Sequence, residues 1–136
     1  DRRDIDLFMK NDTNNKILVD HSNKELFSID DPVKVKIQDG RVVKIRKKLK
    51  EIDRVDGISI GIYKFSKKLM TELIDTIRVN IENSKDDLSL YYPIDEILNK
   101  EPVIPIYTKK SCWFDIDTPQ ELVIANKYLN KGLLKT

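Results

Sequence analysis

The 136 residues suit one compact domain, and a composition of 40% apolar with 35% charged residues is that of a folded chain. A net charge of +2 excludes a strongly basic protein whose main role is to coat nucleic acid. Cys112 is the only cysteine, so an internal disulfide is excluded and a reducing, cytoplasmic setting is expected. No apolar run approaches the roughly 20 residues that span a bilayer, so no membrane partner is predicted.

Two elements are predicted at the start of the chain. Residues 17–19 are a short apolar run that predicts a buried strand. Residues 1–11 predict a short amphipathic helix, because three apolar side chains recur at helical spacing: Ile5, Phe8 and Met9.

A β-hairpin is predicted next, with strands at 33–37 and 42–49 on either side of the turn signal Asp39-Gly40. Directly paired residues share a face of the sheet, and the apolar positions of both strands are odd-numbered. A two-residue turn would pair odd with even positions. We therefore predict a loop of odd length with Gly40 as a left-handed bulge residue. The apolar positions are Val33, Val35 and Ile37 in the first strand and Val43, Ile45 and Leu49 in the second.

The middle of the chain predicts a strand followed by a helix. Residues 57–65 are apolar on both faces, which is typical of a central strand. Ser66 is the predicted N-cap of the helix that follows. The apolar stripe of this helix comprises Leu69, Met70, Leu73, Ile74 and Ile77.

The last third predicts a short helix opened by Pro93, with Ile94, Ile97 and Leu98 facing inward. Residues 103–107 and 113–116 predict two further strands. The element order indicates an α/β fold with a mixed sheet and flanking helices in a single domain of residues 1–136.

The C-terminal helix has a strong predicted start at Thr118. Pro119 fits the first helical position, and Glu121 completes a capping box with the threonine. We expect this helix to end at Gly132 and to bury Leu122, Ala125 and Leu129.

Lys47 is the first candidate binding residue. By alternation it shares the face of Val43, Ile45 and Leu49, where an ammonium group is costly unless an anion or hydrogen-bond acceptors meet it. One interpretation is a phosphate-binding lysine in a cleft. The other is that the strand ends near Arg46 and the side chain reaches solvent along its own stem.

Asp115 and Asp117 form the second candidate site. Two residues apart on a strand, both carboxylates project to one side and could share a hard cation such as Mg²⁺. Alternatively, Asp117 favours the N-terminus of the following helix electrostatically and Asp115 is simply solvated. Two carboxylates make only part of a magnesium site, with phosphates and waters completing it.

Eight lysines and arginines between positions 34 and 50 raise a nucleic-acid-binding alternative. Except for Lys47 they are expected on the outward face of the hairpin. Because no aromatic residue lies among them to stack on bases, a solvated hairpin face is the favoured interpretation.

Three segments, in this order, resemble the second half of the nucleotidyltransferases. They are DGRVVKIRKKL (39–49), DGISIGIYKF (56–65) and WFDIDTPQEL (113–122). The resemblance is greatest to the phosphocholine, inositol-phosphate and phosphonate cytidylyltransferases and more distant to the sugar-1-phosphate nucleotidyltransferases. It implies the C-terminal, acceptor-binding half of a nucleotide-diphospho-sugar transferase fold.

The resemblance also implies a reaction and site residues. An acceptor phosphate attacks the α-phosphorus of a nucleoside triphosphate and releases pyrophosphate, with Mg²⁺ as cofactor. By position, Lys47 contacts the acceptor phosphate, while Asp117 and Asp115 hold the metal. Trp113 is expected either to wall the acceptor pocket or to be a core aromatic residue.

Two departures from the family pattern bear on activity. The family usually has glutamate where this chain has Ile58, and glycine where it has Arg46. Residues 1–136 also contain none of the family's nucleotide-binding elements, including the Gly-rich triphosphate loop. A half sheet would leave the edge of the central strand without neighbours, so we expect a homo-oligomer or pairing with the other half. A non-catalytic binding or regulatory domain of the same fold remains an alternative.

Overall fold

A computed structural model describes residues 2–28, 31–83, 89–109, 113 and 115–130. The chain forms two compact units: a sheet unit, Thr13–Tyr107, and a terminal unit that combines Asp1–Asp12 with Thr108–Thr136. None of the helices in these ranges is both long and apolar enough to cross a membrane.

The sheet unit contains five strands and two α-helices. The strands are β1 Lys16–Asp20, β2 Lys34–Gln38, β3 Arg41–Arg46, β4 Gly57–Lys64 and β5 Ile104–Tyr107. The helices are α2, Lys67–Glu82, and α3, Tyr91–Ile97, and 3-10 turns lie at Lys24–Ser28 and Leu49–Glu51. Helix α1, Arg2–Lys10, belongs to the terminal unit. The sheet order is β3-β2-β4-β1-β5, with β1 and β5 parallel and the other neighbours antiparallel. This mixed sheet confirms the predicted α/β class.

The β2–β3 hairpin confirms the odd-with-odd pairing of Val35 with Ile45, but the predicted loop is wrong. Asp39 and Gly40 form a two-residue turn with φ angles of 50° and 72°. Both residues tolerate this left-handed geometry, which matches the twist of the strands. The register shifts within the strands instead, leaving Val43 as the extra residue of a bulge. Val42, rather than Val43, is consequently buried.

β4 is an internal strand, because it pairs with β1 on one side and β2 on the other. The ladder to β2 comprises Gly57 and Ile58 of β4. At this end of the strand, the prediction that the edge of the central strand has no neighbours is therefore wrong. Gly57 permits a close approach of β1, since a Cβ added there would lie 2.4 Å from Cγ1 of Val19.

The core of the sheet unit joins β1, β2 and β3 to α2 and α3. Ser66 caps α2 as predicted, accepting the Leu69 N–H at 3.1 Å. The apolar stripe of α2 is narrower than predicted, because Met70 and Ile74 are exposed. The predicted inward side of α3 is confirmed. The buried core residues are Ile17, Val19, Val35, Val42, Ile45, Leu69, Leu73, Ile94, Ile97, Leu98 and Val103.

The terminal unit contains α1 and a second helix, α4, Pro119–Asn130. The capping box is confirmed: Thr118 N–H donates to Glu121 Oε2 at 2.7 Å, and Glu121 N–H donates to Thr118 Oγ1 at 3.3 Å. Buried side chains in these helices are Asp4 and Phe8 in α1 and Ala125 in α4, whereas the expected inward residues Ile5, Met9, Leu122 and Leu129 are exposed.

The strand predicted at 113–116 is absent from the described residues of that segment, 113, 115 and 116. The adjoining backbone is used by the helix cap instead, since the N–H of Asp117 also donates to Glu121 Oε2. Gly132, the predicted end of α4, lies outside the described residues.

Candidate functional site

Lys47 lies one residue beyond the end of β3 in the sheet unit. Its side chain is 42% exposed, and its ammonium lies 2.8 Å from Oδ1 of Asp31, itself 85% exposed. The inward placement among Val43, Ile45 and Leu49 is therefore wrong. The alternative interpretation, a strand that ends near Arg46 with Lys47 reaching solvent, is confirmed. The phosphate-binding role of Lys47 stays a prediction.

Lys34 is the lysine of the hairpin that is fully buried, although the sequence pattern assigned it to the outward face. Its ammonium donates to two main-chain carbonyls: Lys47 O at 2.6 Å and Pro32 O at 2.9 Å. These bonds join the chain before β2 to the chain after β3. Alternation along one strand could not reveal this, because the acceptors come from segments outside both strands.

Arg46 is anchored to α3 through Asp95. Its Nη1 lies 2.6 Å from Asp95 Oδ2, while Asp95 Oδ1 accepts the Ile45 N–H at 2.6 Å. The guanidinium also lies 5.4 Å from the ring centroid of Tyr92, whose hydroxyl donates to Glu51 Oε2 at 3.1 Å. Arg46, which stands where the family usually has glycine, thus fixes the end of β3 just before Lys47.

The phenol of Tyr92 has an unusual environment in this cluster. A hydrogen bond with Tyr91, loss of water around the ring and the nearby Glu51 carboxylate together raise the pKa of Tyr92 well above its ordinary value. Tyr92 therefore stays protonated and acts as a hydrogen-bond donor.

A groove of about 1050 Å³ runs beside β3, also within the sheet unit. Arg46 and Asp95 line it, but their charges are already paired with each other. Lys47 is not among its lining residues. The groove therefore contains none of the predicted site residues.

Asp115 and Asp117 lie in the terminal unit, and both side chains are exposed. Carboxylate oxygens are ligands that Mg²⁺ prefers, and solvent access leaves room for the waters and phosphates that would complete its octahedron. The donor chemistry thus fits a magnesium ion in part. Within residues 2–28, 31–83, 89–109, 113 and 115–130, no group of three or more His, Cys, Asp and Glu forms a complete metal cluster.

Trp113 is half-buried and belongs to the terminal unit, as do both aspartates. Lys47 belongs to the sheet unit. The four predicted site residues are therefore distributed over the two units.

No protein-family model matches this sequence. A 108-residue stretch is 30% identical to the "Bifunctional IPC transferase and DIPP synthase" of Archaeoglobus fulgidus, and 107 residues are 28% identical to the protein of the same name from Thermococcus kodakarensis. Each match covers 79% of this chain.

The inositol-1-phosphate CTP transferase from T. maritima superposes with a TM-score of 0.64 over 93% of this chain at 20% identity. By sequence this chain is similar to IPC transferases, and by fold to a CTP transferase. The superposition covers 49% of the T. maritima chain, which agrees with the predicted half of a transferase fold.

The chain spans about a fifth of the length of these two curated relatives, 19% and 22%. The resemblance to the inositol-phosphate branch, predicted from the three segments, is confirmed. The departure at position 58 is also visible in the fold. Ile58 is buried on β4 and pairs with Lys34 on one side and Asp20 on the other.

Proposed function

We propose that this chain is the acceptor-binding part of a cytidylyltransferase. The complete enzyme would transfer a nucleotidyl group from a nucleoside triphosphate to a phosphorylated small molecule and release pyrophosphate. CTP is the nucleotide that we propose first. The observation that carries the proposal is the similarity to IPC transferases, which extends along 79% of the chain. The fold shared with a CTP transferase supports it.

Lys47 is the residue that we assign to the acceptor phosphate. Its ammonium lies near the surface, 2.8 Å from a carboxylate oxygen of the exposed Asp31. Such surface pairs contribute about 0–1 kcal/mol, whereas a charge-assisted hydrogen bond contributes about 1.5–3 kcal/mol. An incoming phosphate can therefore replace Asp31 as the partner of Lys47.

Asp117 and Asp115 are assigned to Mg²⁺, and Trp113 to the wall of the acceptor pocket. When bound, the ion would neutralise phosphate charge and orient the reacting oxygens. The protein's own contribution in this reaction class is mostly positioning, because little covalent chemistry falls to its side chains. The lone cysteine supports a reducing, cytoplasmic setting.

Binding of inositol 1-phosphate to the 136-residue chain tests this assignment. We expect calorimetry to detect binding of inositol 1-phosphate and none of inositol, which lacks the phosphate. Lys47→Met should weaken binding by roughly ten- to a hundredfold, the value of one charge-assisted hydrogen bond. The neighbouring Lys48→Met is the matched control and should have no effect. Equal effects of the two substitutions would remove Lys47 from the site.

A non-catalytic binding domain is the second candidate, and the buried Ile58 favours it, since an apolar side chain replaces the family's carboxylate there. The two functions differ in whether the complete protein releases pyrophosphate from CTP with Mg²⁺ and inositol 1-phosphate. Because residues 1–136 contain no Gly-rich triphosphate loop, we expect no release by this chain alone. Release that Asp117→Ala abolishes would instead show that the chain is catalytic by itself.

A further inference from the structure

The buried ammonium of Lys34 is a feature of the sheet unit that the proposed function leaves unexplained. Lys34 is 0% exposed, on a strand between β3 and β4. A buried cation is costly unless hydrogen bonds and charges compensate it. Here two of the compensating groups are main-chain carbonyls of residues that flank the hairpin, Pro32 and Lys47.

Two links join the segment before β2 to the segment after β3. Lys34 joins the carbonyl of Pro32 to the carbonyl of Lys47, and the side chain of Asp31 joins the ammonium of Lys47. The first link is buried and acts on the main chain, whereas the second is exposed and acts on the side chain. Displacing Asp31 from Lys47 would therefore leave the main chain at Lys47 fixed by Lys34.

We propose that Lys34 is a positioning residue that holds the main chain of Lys47 so that its ammonium can meet an acceptor phosphate. This inference rests on the proposed function. Beyond the end of β3 the sheet ladder no longer fixes the backbone, and the 2.6 Å bond from Lys34 takes over that role. Lys34 itself need not touch the acceptor, because its ammonium is directed to the carbonyls.

A mutant cycle tests the coupling between the two lysines. Titration of the 136-residue chain with inositol 1-phosphate should show that Lys34→Met weakens binding about tenfold, the scale of coupling within one hydrogen-bond network. In a chain that already carries Lys47→Met, the same change should weaken binding less than about twofold. Lys36→Met is the matched control, since Lys36 lies two residues along β2 and pairs with the exposed Asp53.

A second measurement does not depend on the ligand. The amide of Lys48 shares its peptide bond with the carbonyl of Lys47, so its nitrogen–proton resonance reports on the Lys34 hydrogen bond. Lys34→Met should shift the Lys48 amide resonance. It should also speed the hydrogen exchange of this amide more than the exchange of core amides in β1. Lys34→Arg, which keeps the charge and the donors, should restore both the exchange and the affinity.

The outcomes separate this inference from the proposed function. Absence of inositol 1-phosphate binding by the unsubstituted chain would overturn both. Binding that Lys47→Met weakens and Lys34→Met leaves unchanged, or weakens additively, would overturn the positioning role alone. If Lys34→Met does not fold by circular dichroism, Lys34→Gln takes its place in the cycle. Failure of both to fold would make Lys34 a structural residue and would also overturn the inference.

Discussion

Asp95 fixes the end of β3 through both the main chain and the side chain of adjacent residues. Its Oδ1 accepts the Ile45 N–H at 2.6 Å, and its Oδ2 lies 2.6 Å from Nη1 of Arg46. This relationship ties the helix α3 to a strand at the edge of the sheet. Because the Ile45 N–H is occupied, that position of the edge is also closed to pairing with another strand.

Asp95→Ala should destabilise the fold by about 2–4 kcal/mol, because it leaves a buried N–H and a largely buried guanidinium without this carboxylate. Urea unfolding followed by circular dichroism measures the change. Asp75→Ala is the matched control, since Asp75 pairs with Arg78 on the exposed side of α2. The control should change the free energy of unfolding by less than about 0.5 kcal/mol. Similar values for the two variants would contradict the anchoring role of Asp95.

Gly57 is expected to resist substitution because of close packing against β1. A Cβ at this position would meet Val19 Cγ1 at 2.4 Å and the carbonyl oxygen of Asp20 at 3.0 Å. Gly57→Ala should therefore destabilise the fold by about 1–3 kcal/mol. Val19→Ala removes the nearer obstacle, so the cost of Gly57→Ala should be smaller in that background. Denaturant unfolding of the unsubstituted chain, the two single variants and the double variant measures this. Strictly additive changes in the free energy of unfolding would show that Val19 is not the obstacle.

Glu101 provides a pH-dependent contribution to stability. The Lys68 ammonium, followed by the amide of Asn15, holds the pKa of Glu101 below its ordinary value of 4.5. A carboxylate with a lowered folded-state pKa stabilises the fold above its unfolded-state pKa, and this stabilisation is lost as the pH falls through the folded-state value. The free energy of unfolding should therefore fall below about pH 4.5, and less steeply in Glu101→Gln.

The control for this effect is Glu82→Gln, at the exposed C-terminal end of α2. The free energy of unfolding is measured between pH 3 and pH 7 for both variants and for the unsubstituted chain. A Glu101→Gln profile that runs parallel to that of the unsubstituted chain would remove the contribution assigned to Glu101.

Much of the sheet unit could be predicted from local sequence signals. The Ser66 cap, the inward side of α3 and the pairing of Val35 with Ile45 each depend on neighbouring residues or alternation, and the structure confirms them. The position of the bulge could not be predicted, because Asp39 and Gly40 satisfy either turn geometry and packing at Val42 decides between them.

Less of the candidate site than of the sheet unit could be predicted from the sequence. Alternation assigns a face to a residue only while the strand continues, and β3 ends before Lys47. Lys34 was missed for a different reason: its compensating carbonyls belong to residues 32 and 47, which only the folded hairpin brings together. Alternation first indicated Lys47, and spacing first indicated Asp115 and Asp117. The family resemblance then gave these residues and Trp113 their roles, which remain predictions.

Asp31 should compete with the acceptor phosphate for Lys47 if the proposed function is right. Its carboxylate lies 2.8 Å from the ammonium and is highly exposed. Removing its charge in Asp31→Asn should strengthen inositol 1-phosphate binding about two- to fivefold, since an exposed ion pair contributes at most about 1 kcal/mol. The gain should diminish at high salt, because screening already weakens the ion pair there. Asp39→Asn, in the hairpin turn where asparagine also tolerates positive φ, is the matched control and should leave affinity unchanged. Weaker binding by Asp31→Asn would mean that Asp31 supports the acceptor site instead of competing with the acceptor for Lys47.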